Sequence, residues 1–166
     1  YDHLAGEEQR LFRLLSVFAG GWTLEGATAV AGEGADEFDL LDLLTRLARK
    51  SLVQVEREGG GEARYAMLET VRQYAEERLN ESGEGDLART RHLDFLLIVA
   101  EETEPKLVGP EQGEWLSRLA REQENLQRQL LAFDRKRRLR FEVEALACRG
   151  GGFGRDPRAH RCKGAV

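Results

Sequence analysis

At 166 residues with 33% charged, 41% hydrophobic and 7% aromatic side chains, the chain has room for one ordinary domain or a small domain with part of a second, with a modest core and a heavily solvated surface. No run approaches the ~20 apolar residues needed to span a bilayer, and YDHLAGEEQR at the start lacks the basic and apolar regions of a secretory leader, so the expected compartment is the cytoplasm. The net charge of −5 is unevenly spread: from Arg135 onward ten Lys/Arg face three acidic residues, giving a tail of +7 and leaving −12 on residues 1–134.

The first helix is expected over Gly6 to Ala19, where Glu7 and Glu8 suit a helix N-terminus and Leu11, Phe12, Leu14, Leu15 and Phe18 supply the apolar stripe. Gly20-Gly21 ends it. Thr23 is placed to cap a short second helix carrying Leu24, Ala27, Val30 and Ala31, closed by Gly32 and Gly34. Asp36 can cap the third, from about Glu37 to Arg49, whose Leu40, Leu41, Leu43, Leu44 and Leu47 recur at helical spacing. Leu52, Val53 and Val55 begin an extended run, Gly59-Gly60-Gly61 permits a tight reversal, and Arg64 to Leu68 returns as a second strand. A fourth helix then sets Val71, Tyr74, Ala75 and Leu79 on one side and Arg72, Gln73, Glu76, Glu77 and Arg78 on the other. Three helices, a hairpin and a helix outline a winged helix over residues 1–81.

Ser82 to Asp86 breaks the pattern, and residues 82–134 read as a helical hairpin. Its first helix runs from about Asp86 to Glu104 with Leu87, His92, Phe95, Leu96 and Val99 on one face. Its second starts near Pro110 and carries Trp115, Leu116, Leu119, Leu126, Leu130 and Phe133. The pair resembles the start of a tetratricopeptide-type solenoid, and a helical docking face is expected at Trp115, Leu119, Leu126 and Leu130. The fold class is therefore mainly α with one β-hairpin. Residues 135–166 lose all periodicity and read as a basic tail, either disordered or an out-of-frame translation.

Four blocks carry a family resemblance: EEQRLFRLLSVFAGGWTLEGATAV, LLDLLTRLARKSLVQVE, RYAMLETVRQYAEERLNESG and EQENLQRQL. They resemble the region that follows the nucleotide-binding core in bacterial NB-ARC (STAND) signal-transduction ATPases, among them LuxR-type and antibiotic-regulatory transcription factors, over about Tyr1 to Phe133. The resemblance implies a winged helix that docks on a nucleotide-binding domain and leads into tetratricopeptide-like repeats, hence a non-catalytic coupling module. Relatives of that class place a Met-His-Asp string at the end of the hairpin. Here the matching turn is Met67-Leu68-Glu69, with Leu68 where the His would reach a phosphate.

The chemistry-bearing residues point the same way. No GxxxxGK[ST] phosphate loop occurs, so neither ATP hydrolysis nor a nucleotide cofactor is expected. His92 falls on an apolar stripe and His3 near the start, with no nucleophile arranged about either; Cys148, His160 and Cys162 lack the paired spacing of a metal site. For DNA, the third helix begins with Asp36, Glu37, Asp39 and Asp42, where a recognition helix approaches base edges, while Arg46, Arg49 and Lys50 gather at its far end. Those carboxylates make a protein-facing surface the expectation and DNA binding by the body unlikely, with Arg46, Arg49 and Lys50 the contacts if DNA is bound.

Overall fold

The computed structural model describes residues 1, 3–32, 34–56, 63–107, 112–129 and 131. Helix α1 spans Gly6–Leu14 and tightens into a single 3₁₀ turn, Leu15–Val17. Strand β1 is Trp22–Thr23, and α2 follows at once as Leu24–Ala31, its N-terminus capped by the Thr23 hydroxyl, which accepts the Gly26 amide. Helix α3, Glu37–Arg49, starts where Asp36 Oδ1 accepts the amides of Phe38 and Asp39. Leaving α3, the chain passes through Ser51 at φ 58°; the Leu52 amide donates to Leu47 O and the Ser51 amide to Ala48 O, a left-handed helix stop without glycine.

Strands β2 (Gln54–Glu56) and β3 (Arg64–Ala66) pair antiparallel with Val55 opposite Tyr65. The periodicity in this region predicts a two-stranded hairpin, and the structure adds a third strand. Trp22 pairs with Tyr65 and Thr23 with Arg64, giving a sheet of order β1-β3-β2. Gly21 makes the junction possible. Its φ is +82°, and a Cβ there would lie 2.7 Å from the carbonyl oxygen of Tyr65. The glycine-rich hairpin tip lies outside the described residues.

Helix α4, Glu69–Ser82, ends at Gly83 in the left-handed conformation, and α5 runs from Gly85 to Thr103. A further helix, α6, covers residues 112–129. It returns antiparallel to α5: Lys106 lies over the Trp115 ring, Leu126 packs against Phe95, Leu96 and Val99, and Gln129 meets His92. The fold is thus a winged helix followed by two further helices. Among the described residues no helix is long and apolar enough to cross a membrane.

The core gathers Leu11, Phe12, Leu15, Phe18, Trp22, Val30, Leu40, Leu44, Leu47, Tyr65 and Leu79 from α1 to α4 and the sheet. Two residues of α4 reverse their expected sides. Tyr74 is 41% exposed, whereas Arg72 is only 6% exposed. The inversion follows from the partners each can reach. The Arg72 guanidinium donates to both oxygens of Glu69 (2.6 and 2.7 Å), to Glu76 at 3.0 Å and to the carbonyl of Ser16 at 3.3 Å, so its burial leaves no donor stranded. Leu87, expected on the inner face of α5, is 54% exposed.

Candidate nucleic-acid interface

Helices α2 and α3 follow one another across a short turn and pack together. Leu40, Leu44 and Leu47 fall at i, i+4 and i+7 and are buried against α1 and α2. That stripe fixes which face of α3 looks outward: Glu37, Phe38, Leu41, Asp42, Thr45, Arg46 and Arg49 are all exposed.

The outward face has two halves of different chemistry. The first turn holds Glu37, Phe38 and Asp39. The last two turns hold Thr45, Arg46, Arg49 and, at the C-cap, Lys50. Several charges that a linear reading counts as free are engaged. The Asp36 carboxylate satisfies two helix N-terminal amides, and Asp42 is ion-paired with Arg46 one turn away. An exposed pair of this i,i+4 kind contributes only ~0.3–0.5 kcal/mol, so a phosphate can compete for Arg46. Lys50 Nζ donates to Glu8 Oε2 at 2.6 Å, and that oxygen also accepts the Ala5 amide at 2.8 Å. The Lys50 hydrogen bond, helped by the Ala5 amide, holds the Glu8 carboxyl below the usual carboxylate range. Among the described residues Arg49 forms no ion pair.

The wing contributes less positive charge than the sequence suggests. Arg64, on β3, is turned inward: Nη1 donates to Glu122 at 2.8 Å and Nη2 to the carbonyls of Arg121, Gly20 and Gly21 at 2.7, 3.0 and 3.3 Å. The outward residues of β2 are Gln54, Val55 and Glu56. Arg57 lies outside the described residues.

Helix α6 is clasped to the winged helix by polar contacts. Asn125, fully buried, accepts the amides of Ala19 and Gly20 at 2.8 and 3.3 Å and donates to Gly21 O at 2.9 Å and Glu122 at 2.7 Å. Arg128 donates to Glu76 at 2.7 Å, extending the ion-pair chain from Glu69 through Arg72. Arg72 depresses the Glu69 carboxyl to about 2.

The residues expected to form a docking face on this helix sit in different surroundings. Trp115 is half-buried with Lys106 and Arg118 over its ring, Leu119 is half-buried, and Leu126 packs inward on α5. Leu130 lies outside the described residues, as do Cys148, His160 and Cys162. In the turn before α4, Met67 packs on the core, Leu68 is 53% exposed and Glu69 is held by Arg72.

Residues 4–80 match the family model of the winged helix-turn-helix domain. That segment is a winged helix-turn-helix. It is homologous to proteins carrying regulator names. The chain is 48% identical over 98 residues to "Putative HTH-type transcriptional regulator Rv0890c" of Mycobacterium tuberculosis (strain ATCC 25618 / H37Rv), a match covering 58% of this chain and 11% of that protein. The same figures hold for "Putative HTH-type transcriptional regulator Mb0914c" of Mycobacterium bovis. "Uncharacterized protein Rv0894" of M. tuberculosis is 45% identical over 96 residues, 56% of this chain and 24% of that protein. The chain therefore spans less than a quarter of the length of these curated relatives. No solved structure matches.

The winged helix-turn-helix match and the regulator homologues overturn the expectation that the body does not bind DNA; they point to DNA binding instead. The expectation rested on the acidic first turn of α3, whereas the outward cations Arg46, Arg49 and Lys50 are grouped in its last turns, clear of Glu37 and Asp39. The matched family is not a catalytic one.

Proposed function

We propose that this chain is the winged-helix segment of a larger transcriptional regulator and that it meets duplex DNA through the C-terminal half of α3. Arg46, Arg49 and Lys50 act on phosphates, and Thr45 lies on the same outward face. The observation that carries the reading is the winged helix-turn-helix match over residues 4–80, combined with a second helix whose outward cations cluster in its last two turns. Their charge supplies the counterion-release term that dominates protein–DNA affinity.

Fluorescence anisotropy on a labelled duplex tests this. Replacing Arg46, Arg49 and Lys50 together by Gln should weaken binding about tenfold and lower the slope of log K against log salt by about 2 to 3, roughly 0.9 per lost phosphate contact. The +7 tail needs its own arm, with Arg135, Lys136, Arg137 and Arg138 changed to Gln. If that variant abolished binding while the α3 variant bound like the parent, α3 would not be the DNA-contacting element.

A second reading is favoured by the ion-pair chain Glu69–Arg72–Glu76–Arg128, which joins the turn after the wing to α6. In that reading the chain is the coupling module of an NB-ARC (STAND) regulator. The turn Met67-Leu68-Glu69 faces a nucleotide-binding domain, and α5 and α6 open a tetratricopeptide-like sensor region. An intact regulator whose nucleotide response was lost on replacing Met67 and Glu69, with operator binding retained, would support it.

A further inference from the structure

Arg64 is the only cation among the described residues of β2 and β3, and it stands at the first position of β3. Its neighbour Tyr65 is buried in the core, so alternation along the strand turns Arg64 to the other face of the sheet, where α6 lies. There its guanidinium is engaged from two sides. The turn before β1 offers the uncharged carbonyls of Gly20 and Gly21 at 3.0 and 3.3 Å. Helix α6 offers the Arg121 carbonyl at 2.7 Å and an anion, Glu122, whose Oε1 accepts from Nη1 at 2.8 Å. Glu122 is only 6% exposed, and its other oxygen is fixed by the Asn125 amide at 2.7 Å. A charged oxygen held against a guanidinium in this way is the acceptor that a phosphate would provide.

We propose that α6 is an autoinhibitory strap on the wing: its Glu122 carboxylate stands in for a DNA phosphate on Arg64, and displacement of α6 releases that guanidinium to the duplex. The face that does this is continuous along the helix. Arg118, Glu122, Asn125 and Arg128 recur at i, i+4, i+7 and i+10. Each meets the winged helix: Arg118 at Glu25 (3.1 Å), Glu122 at Arg64, Asn125 at the turn from Ala19 to Gly21, and Arg128 at Glu76 (2.7 Å). Water can replace each of these polar links at small net cost once the helix lifts, whereas Leu126, the apolar anchor of α6, rests on α5. The strap therefore keeps Arg64 turned in, yet yields to a partner that offers matching charges to the same face. The inference rests on the DNA-binding reading and adds a second, conditional contact to the one made by α3.

A cycle of variants in the full chain, titrated with a labelled duplex over a range of salt, tests it. Asn125→Ala loosens α6 without a change of charge, and Glu122→Gln removes the anion directly; the second, nearly isosteric, carries the test even where the first fails to fold. Each should raise affinity about five- to tenfold near ~0.1 M salt and steepen the slope of log K against log salt by about 0.9, the value of one phosphate contact. Arg64→Gln alone should bind like the parent, and in that background neither variant should gain. Parent-like affinity and slope in both variants would overturn the proposal. So would a gain that persists with Arg64→Gln, which would belong to lost charge or a looser fold, and so would weaker binding by Arg64→Gln alone, which would put Arg64 on DNA already. The triple Gln variant of Arg46, Arg49 and Lys50 separates the two readings. Parent-like binding by that variant fails the α3 contact and the strap with it, whereas its loss of binding, with no gain in the cycle, fails the strap alone.

Discussion

Stability should fall by about 3 kcal/mol between pH 6.5 and pH 4 through one residue, His92. Its side chain is fully buried, lies edge-on to Phe18 at 4.4 Å between ring centroids, and has Nδ1 2.7 Å from the Gln129 amide nitrogen. The Gln129 amide donates there, so the neutral ring carries its proton on Nε2, which has no hydrogen-bond partner among the described residues. Burial disfavours the imidazolium, nearby Arg128 disfavours it further, and the pKa is lowered from 6.5 to about 4. The unfolded chain therefore binds the proton first on acidification. Stability is full above pH 6.5 and declines as pH falls, until the folded ring itself titrates near 4. The carboxylates held low by arginines add to the loss only below their ordinary value of 4.5, so the window from pH 6.5 to about 5 isolates the histidine. Urea unfolding of the parent and of His92→Leu at several pH values measures the effect. The variant should show almost no pH dependence in that window, and a parent-like decline would remove His92 as the cause.

Replacing Asn125 by Ala should cost a comparable amount, about 3 kcal/mol. Asn125 sits where β1 begins, and its carboxamide completes the hydrogen bonding of three consecutive residues. The amides of Ala19 and Gly20 and the carbonyl of Gly21 all depend on it. The turn is held in place by Gly21, at φ +82° against Tyr65, so the two amides stay aimed at the Asn125 oxygen. Truncation thus strands two donors, leaves the Gly21 carbonyl with only the 3.3 Å donation from Arg64, and removes the donor to Glu122 Oε2 while Arg64 keeps its bond to Oε1. Amide exchange resolves where the loss falls. Ala19 and Gly20 should exchange much faster in the variant, together with α6, whereas α2 and α3 should keep their protection. A variant that lost less than about 1 kcal/mol would show that α6 contributes little to holding this turn.

Much of the winged helix was legible because its signals are local. Thr23 and Asp36 are caps whose side chains meet the amides that their positions imply, and the leucine spacing of α3 gives its limits and, through Leu40, Leu44 and Leu47, its buried face, although Leu41, expected on that face, is exposed and Leu43 only half-buried. Strand β1 was not legible: two residues carry no alternation, and only the return of β3 beside Gly21 makes them a strand. Arg72 and Asn125 were hidden for a related reason. A polar side chain in a helical pattern reads as solvated unless its distant partners are known, and here those lie 56 and about 105 residues away, the Ser16 carbonyl for Arg72 and Ala19 to Gly21 for Asn125. The cationic half of α3 was visible as Arg46, Arg49 and Lys50, but its balance against the acids was not. That balance depends on the ion pairs of Asp42 with Arg46 and of Glu8 with Lys50, both set by side-chain geometry rather than composition.

The account's central claim is that α3 is the element that meets DNA. Amide chemical-shift mapping of the isotopically labelled chain, titrated with a duplex at low salt, tests it at the level of single residues. The largest saturable shifts should fall on Thr45, Arg46, Arg49 and Lys50, with α6 undisturbed and the effect reversed by added salt. Shifts confined to the basic residues after Asp134, with α3 silent, would contradict it.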